Sequence, residues 1–326
     1  MKISFVTCSN TCPPSWLQTF SSIAGQITED TDIEVVAVNN GFSPDRVRLL
    51  KESPSVTKLG NLFRLVEEPR PGIAYARAHG INEAKGDWLV LLDDDNTIAS
   101  DFITALTGEL ADASELGGVI ALITPIWEKP VPQWLARFGV LCLSYTSPSL
   151  DDDCFVPQLL DHEQARAHPS PPGGGMIINK EVAQYYLNSP DLEKRLTWGR
   201  VGDNLYGCDD NDLWSEIITL KRRILISDKV RIQHNIPARR TKLRYLIRLN
   251  YQMSYSFGWM ESTRNNSHTK RRSLWSHLKH AKRHLTKALR GGSFGAELLW
   301  WVKSVGYDLG VQEAQRLQTT QPEGSA

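Results

Sequence analysis

The stretch WLVLLDDDN, residues 88–96, decides how the rest of the chain is read: an apolar run of strand length ends in three consecutive carboxylates. Two like charges about 4 Å apart repel by roughly 4 kcal/mol at the effective dielectric of a protein surface. Asp93, Asp94 and Asp95 therefore ask for a divalent cation or a cationic partner. In an extended chain side chains alternate, so Asp93 and Asp95 share one face about 6.6 Å apart and Asp94 points the other way. Oxygen ligands of this kind suit Mg²⁺ or Mn²⁺, which take one or two protein carboxylates plus phosphate oxygens from a substrate.

The motif closes a longer alternation. Over the first 124 residues, ISFVTC, IEVVAV, LFRLVEE and WLVLL read as strands, and PSWLQTFSSIAGQ, PDRVRLLKES and AYARAHGINEAKG as helices between them. Such a βαβ series predicts an α/β fold with a largely parallel sheet flanked by helices. Ligands in these sheets bind beyond the carboxyl ends of the strands. Both the polar NNG after Val38 and the three aspartates lie at that edge.

After Val119–Thr124 the periodicity weakens, and Pro125, Pro130 and Pro132 mark a change of organisation. Gly173–Gly175 then precede a short apolar strand and a helix from about Lys180. A helix opens near Asp209 or Asp210, and two short strands, RILIS and VRIQH, follow it. From Pro237 three helical segments are expected, then a polar, disordered tail, QRLQTTQPEGSA. The expected division is 1–124, 125–236, 237–314 as a basic helical extension, and 315–326 as the tail.

With 326 residues, 41% hydrophobic and 23% charged, the chain has the composition of a soluble globular protein. Its five cysteines include no CxxC pair, which fits neither a disulfide framework nor a zinc site and points to reduced thiols in a cytoplasm. MKISFVTCSN is too short an apolar run for a signal peptide and reads as a first strand. The most apolar long stretch, FGAELLWWVKSVGYDLGV, contains Glu297, Lys303 and Asp308, so no bilayer span is expected. Net charge is zero, yet residues 239–290 hold 14 of the 37 Lys and Arg and one acid, Glu261. The body is acidic and this arm basic, a pattern that attracts anionic surfaces such as lipid headgroups or nucleic acid.

Four blocks, in order, resemble the family 2 glycosyltransferases: VVAVNNGFSPD, EEPRPGIAYARAHGINEAKGDWLVLLDDDN, GGGMIINKEVA, and GCDDNDLWSEI with IQHNIPARR downstream. The resemblance extends from about residue 2 to residue 260. It implies the GT-A fold, a Rossmann-like mixed sheet flanked by helices, here with a helical C-terminal extension. It further implies a metal-dependent, inverting, non-processive enzyme of the hexosyltransferase type. Such an enzyme moves one sugar from a nucleotide diphosphate sugar, UDP-sugar favoured, to a glycan or lipid-linked saccharide.

On that pattern residues 1–124 form the nucleotide-sugar half and residues 125–236 the acceptor half. Asp93 and Asp95, with His234 as third ligand, fall where Mn²⁺ or Mg²⁺ is held. Thr7, Asn40, Arg77, Asp93, Asp94 and Asp95 fall where the donor nucleotide binds. An asparagine at 40 replaces the usual aspartate; its amide oxygen can accept from a uracil N–H, and an Asn-Gly turn is the plainer reading. Arg77 would set a permanent charge beside the diphosphate. Asp210 takes the position of the general base, and Asp209 replaces the usual glutamate beside it. Both could equally cap their helix.

Gly174 and Gly175 would let the backbone lie under the donor sugar. Trp198 and Arg200 precede the acidic pair, where a ring can stack on a sugar or simply pack in a core. Arg239 and Arg240 could meet phosphate or belong to the basic arm. The chain lacks the QxxRW motif of processive synthases. Trp275, Leu278, Trp300 and Trp301 near basic residues suit either a peripheral enzyme on the inner membrane face or helices packed on the catalytic domain.

Two other classes compete with this reading. A nucleotidyltransferase making nucleotide sugars would need a Gly-rich loop with a lysine after the first strand, and SNTCPPSW offers none. A nucleic-acid-binding protein using the basic arm leaves the acidic strand ends unexplained, and no nucleic acid partner is expected.

Overall fold

A computed structural model describes residues 1–29, 31–111, 113–135, 143, 158–167, 173–265, 274–289 and 293–320. In chain order it forms β1 (Ile3–Ser9), α1 (Pro14–Ala24), β2 (Ile33–Asn39), α2 (Pro44–Lys51), α3 (Pro54–Leu59), β3 (Phe63–Glu67), α4 (Ile73–Glu83), β4 (Trp88–Asp93), β5 (Asn96–Ile98), α5 (Phe102–Glu109) and β6 (Leu116–Trp127). There follow β7 (Gln158–Leu160), α6 (His162–Ala167), β8 (Met176–Asn179), α7 (Lys180–Leu187), α8 (Leu192–Leu196), α9 (Asp209–Thr219) and β9 (Arg223–Ile236). The last three are α10 (Leu243–Asn265), α11 (Leu274–Leu289) and α12 (Phe294–Thr320).

The nine described strands form one sheet in the order β3-β2-β1-β4-β8-β6-β9-β5, with β7 pairing β9. β3, β2, β1 and β4 run parallel, as the apolar runs predict. β8 enters antiparallel between β4 and β6, so the sheet is mixed. Every residue of β1 and β2 is buried, because helices cover both faces. Trp16, Phe20 and Phe102 seal one side, and each contributes about 1.5–3 kcal/mol by leaving water. Ala74, Ala78 and Ile81 of α4 pack on the other. Helix starts follow local chemistry: prolines open α1, α2 and α3, and Asn179 Oδ1 caps α7 by accepting from Val182 N at 2.8 Å.

Three expectations need correction. RILIS and VRIQH are one strand, β9, which absorbs the irregularity as a register shift against β6 between Ala121 and Leu122. The division at 124 fails because β6 runs through it. Residues 1–128, 143–197 and 209–236 form one contact unit, whereas 129–142 and 198–208 group with the chain from Pro237. The polar tail does not begin at 315, since α12 continues to Thr320; residues 321–326 lie outside the described ones. In the second unit α10 and α12 pack along their lengths, with Gly258, Gly306 and Gly310 at the crossing, where any Cβ would strike the opposing backbone.

Candidate active site

The acidic motif is a turn, and this overturns the shared-face expectation. β4 ends at Asp93, Asp94 and Asp95 make the turn, and β5 begins at Asn96, whose Oδ1 accepts from Asp93 N at 3.0 Å. Strand alternation therefore stops one residue into the motif. Arg77 Nη2 donates to Asp93 Oδ1 at 3.1 Å. Ser9 Oγ donates to Asp94 Oδ2 at 2.6 Å. Asp95 Oδ2 stands 3.4 Å from His234 Nε2, and Asn235 N donates to the Asp95 carbonyl at 2.9 Å.

Among the described residues no three His, Cys, Asp or Glu side chains converge to hold a metal. The expected set of Asp93, Asp95 and His234 is thus not assembled: Asp95 and His234 meet, and Asp93 faces an arginine. His234 is buried, held by the β9 ladder that pairs it with Asn96 on one side and Pro125 on the other.

Arg77, on α4, joins the two halves of the site. Its guanidinium contacts both Asp93 and the carboxylate of Asp209, which opens α9. Burial opposes its charge, but Asp209, Asp93 and Asp210 outweigh that, so Arg77 holds its proton more firmly than an ordinary arginine. Cys8 lies alongside, in register with Asp93, and burial pushes its thiol up to about 12, so it is neutral.

Asp210 is half-buried. Its Oδ1 accepts from Asn211 N at 2.9 Å and Asn211 Nδ2 at 3.0 Å, and its Oδ2 from Gly173 N at 3.2 Å. Three acids in the first turn of α9, Asp209, Asp210 and Asp212, sit where the helix dipole favours negative charge.

The glycine run threads between these groups. A Cβ on Gly174 would lie 2.6 Å from Asp93 Oδ2 and 2.5 Å from Asn96 Oδ1, so only glycine lets the backbone rest on the Asp93 carboxylate. Gly175 has φ +123°, a conformation L side chains rarely adopt, and its N–H pairs with the Leu91 carbonyl at 2.9 Å. The run touches the charged groups themselves.

Other expected residues have structural work. Thr7 is fully buried and its Oγ1 accepts from Trp16 Nε1 at 2.8 Å, so it is a core residue and not a donor contact. The Asn40 amide is engaged on both sides. Nδ2 donates to the carbonyls of Glu68 and Arg70 at 2.8 and 2.7 Å, and Oδ1 accepts from Gly72 N at 3.0 Å. It ties the end of β2 to the loop before α4.

His79, to which the sequence assigned no role, lies 3.2 Å from the buried Glu68, whose main partner is Arg70. Trp198 belongs to the second unit, buried with Cys208 and Met260 and edge-on to Trp259, so no face is left open for a sugar. Arg200, in the same unit, reaches Met253 Sδ at 3.6 Å. Arg239 and Arg240 lie in a single helical turn at Ala238–Thr241.

Sequence reasoning missed Asn96, Ser9 and Arg195. Asn96 follows the acids directly, and Asp-Asp-Asn is a turn signature. Arg195 on α8 is buried and pairs with Asp212 and Glu216 of α9. The readable signal was two acids four residues apart on the same helix face as Leu213 and Ile217.

Comparison with known proteins places this arrangement. The family model for glycosyl transferase family 2 matches residues 4–163. The glucosyl-dolichyl phosphate glucuronosyltransferase of Haloferax volcanii is 27% identical over 142 residues, 42% of this chain and 41% of that protein. The match thus spans about two fifths of the relative's length. A mannosyltransferase from Pyrobaculum calidifontis, solved with GDP-Man and Mn²⁺, is similar with TM-score 0.53 and 16% identity over 98% of this chain and 88% of its own. TarS of S. aureus is similar with TM-score 0.52 and 10% identity, over 96% of this chain and 55% of its own. At these identities the likeness is one of fold, and the mixed sheet flanked by helices is the GT-A arrangement.

Proposed function

We infer that this chain, whose residues 4–163 match the model for glycosyl transferase family 2, moves one sugar, with inversion, from a nucleoside diphosphate sugar to a glycan or lipid-linked saccharide. The observation that best supports the reading is the meeting of Asp93, at the end of β4, and Asp209, at the head of α9, on one buried arginine. The Gly173–Gly174 backbone lies against the same groups.

In this proposal the Asp210 carboxylate takes the proton of the acceptor hydroxyl as that oxygen bonds to the anomeric carbon. The bond from that carbon to the diphosphate breaks on the opposite face, and its electron pair leaves with the nucleoside diphosphate. A positioned base contributes about 10²–10⁴-fold. Arg77 holds a fixed positive charge beside the developing anion.

Asp95 and His234 would hold the metal; a carboxylate and an imidazole 3.4 Å apart suit Mn²⁺ better than Mg²⁺. Bound there, the ion would supply charge neutralisation for the leaving diphosphate. A lipid-linked acceptor is in keeping with the dolichyl phosphate in the name of the H. volcanii relative. No helix among the described residues is long and apolar enough to cross a membrane, so such an acceptor would be met at a surface. Cys8, Cys12 and Cys208 are buried thiols, in keeping with action in the cytoplasm.

A thermal-shift panel of UDP, GDP and dTDP sugars, each with and without Mn²⁺, tests the reading. A true donor at a hundred times its Kd adds about 2.7 kcal/mol of stability. One nucleotide should stand out, and more so with Mn²⁺. No shift with any of them would sink the proposal.

A further inference from the structure

The sharpest separation of apolar from charged residues among the long helices is in α11 (Leu274–Leu289). Its inner side is settled by contacts within the second unit: α11 packs on α12, and His284 pairs with Glu297 there. Ala281, His284 and Ala288, three and four residues apart, make that half-buried side.

The rest of the helix surface carries two exposed rows that stand roughly 140° apart at 3.6 residues per turn. Lys279, Arg283 and Lys287, four apart, are exposed and form a cationic row. Leu285 and Leu289, also four apart, are 52% and 79% exposed, with Lys282 beside them on the helix surface. Phe294, which opens α12, is 63% exposed. Scattered exposed leucines need no explanation, but two on one row flanked by Lys279 and Lys282 on a single helix do.

We propose that α11 docks flat on an anionic lipid surface, with Leu285 and Leu289 entering the acyl boundary and Lys279 and Lys282, which flank that row, meeting the headgroups. Charge selects the partner. The arm from 239 to 290 holds 14 basic residues against one acid, while the remainder of the chain is acidic. The arm is drawn to such a surface, while the net charge of the remainder is repelled from it. The leucines distinguish lipid from nucleic acid, because a phosphate backbone attracts the cations but gives aliphatic side chains nothing to enter. This inference stands on α11 and does not require the transfer reaction.

The test is co-flotation of the full chain with vesicles of phosphatidylcholine alone and of phosphatidylcholine mixed with phosphatidylglycerol. Binding is expected on the anionic vesicles only, falling as salt is raised. Leu285→Ser with Leu289→Ser should lower the partition coefficient about tenfold or more, and Lys279→Glu with Lys282→Glu by a similar factor. Leu159→Ser, an exposed apolar position on β7, should leave it unchanged. Circular dichroism and the thermal midpoint of each variant should match the parent, because the substituted side chains are exposed. The proposal is overturned if the parent ignores anionic vesicles, if the double serine variant binds as the parent does, or if Leu159→Ser weakens binding equally. It is also overturned if duplex DNA binds with the same affinity and the serine substitutions leave that affinity unchanged.

Discussion

Replacing Arg195 with methionine removes the guanidinium that two buried carboxylates share. The three side chains are 3% (Arg195), 1% (Asp212) and 5% (Glu216) exposed, so water cannot take over the lost partner. Arg195 Nε donates to Asp212 Oδ2 at 2.8 Å, Nη1 donates to Ser189 Oγ at 2.7 Å, and the Tyr186 ring lies 5.3 Å from the guanidinium carbon. Burial works against the arginine's charge, but Asp212 and Glu216 outweigh it, and the proton is held above the ordinary range. Breaking a buried pair by deleting one partner costs about 3–5 kcal/mol, because an uncompensated charge is left behind. For a chain of this size that is a fall in thermal midpoint of roughly 5–10 °C, read by calorimetry and checked against urea unfolding. Because Asp212 and Glu216 lie on the helix that carries Asp209 and Asp210, donor turnover should also fall at temperatures where the variant is folded. Arg195→Lys keeps the charge but loses the fork and should recover only part of the loss. Substituting all three with apolar residues should restore most of the stability. A midpoint within about 2 °C of the parent for Arg195→Met would refute the argument, as that corresponds to less than about 1 kcal/mol.

Further outcomes follow from other contacts. Glu68 is held well below the usual carboxylate range, at about 2 against 4.5, chiefly by the Arg70 hydrogen bonds. A depressed carboxylate stabilises the fold above its unfolded pKa and loses that contribution as pH falls through the folded one. Glu68→Gln should therefore cost about 2 kcal/mol at neutral pH, discounted for the half-exposed Arg70, and the difference from the parent should fade between pH 4.5 and 2 in urea titrations. Gly174→Ala should cost about 1–3 kcal/mol and abolish donor-induced stabilisation, because the added methyl meets the Asp93 and Asn96 side chains. Asp95→Ala and His234→Ala should each remove the Mn²⁺-dependent part of the donor shift and spare the metal-independent part. Gly310→Ala forces α10 and α12 apart at the Tyr255 carbonyl and should cost about 1–3 kcal/mol, measured by denaturant unfolding.

The parallel half of the sheet was readable because its strands are buried on both faces and their apolar runs stop at turn residues, as WLVLL stops at Asp93. Three helices beyond Pro237 were readable, but not the reach of the last one to Thr320, into the polar stretch expected to be disordered from 315. Failures arose where long-range contacts choose between local options. The local Asp-Asp-Asn signature permits a turn at Asp94 and Asp95 without imposing it; the Asn96 side chain and the pairing of β5 with β9 decide it. Thr7 and Asn40 are polar residues at the correct sheet edge, yet Trp16 and the 68–72 loop take up their hydrogen bonds. Trp198 has the composition of a sugar platform, and its burial depends on α10, over fifty residues away in sequence. The Arg77 bridge joins residues 132 apart in sequence, a meeting that only the folded sheet creates.

The most direct test of the proposed chemistry is Asp210→Asn, which preserves shape while removing the base; its single oxygen can accept either from Gly173 N or from Asn211. Nucleoside diphosphate release should be followed with the donor identified by thermal shift, and donor affinity measured by calorimetry on the same samples. The account predicts turnover lower by about 10²–10⁴-fold with donor affinity within about threefold of the parent. Turnover retained at the parental rate, with the asparagine confirmed in the protein, would contradict it.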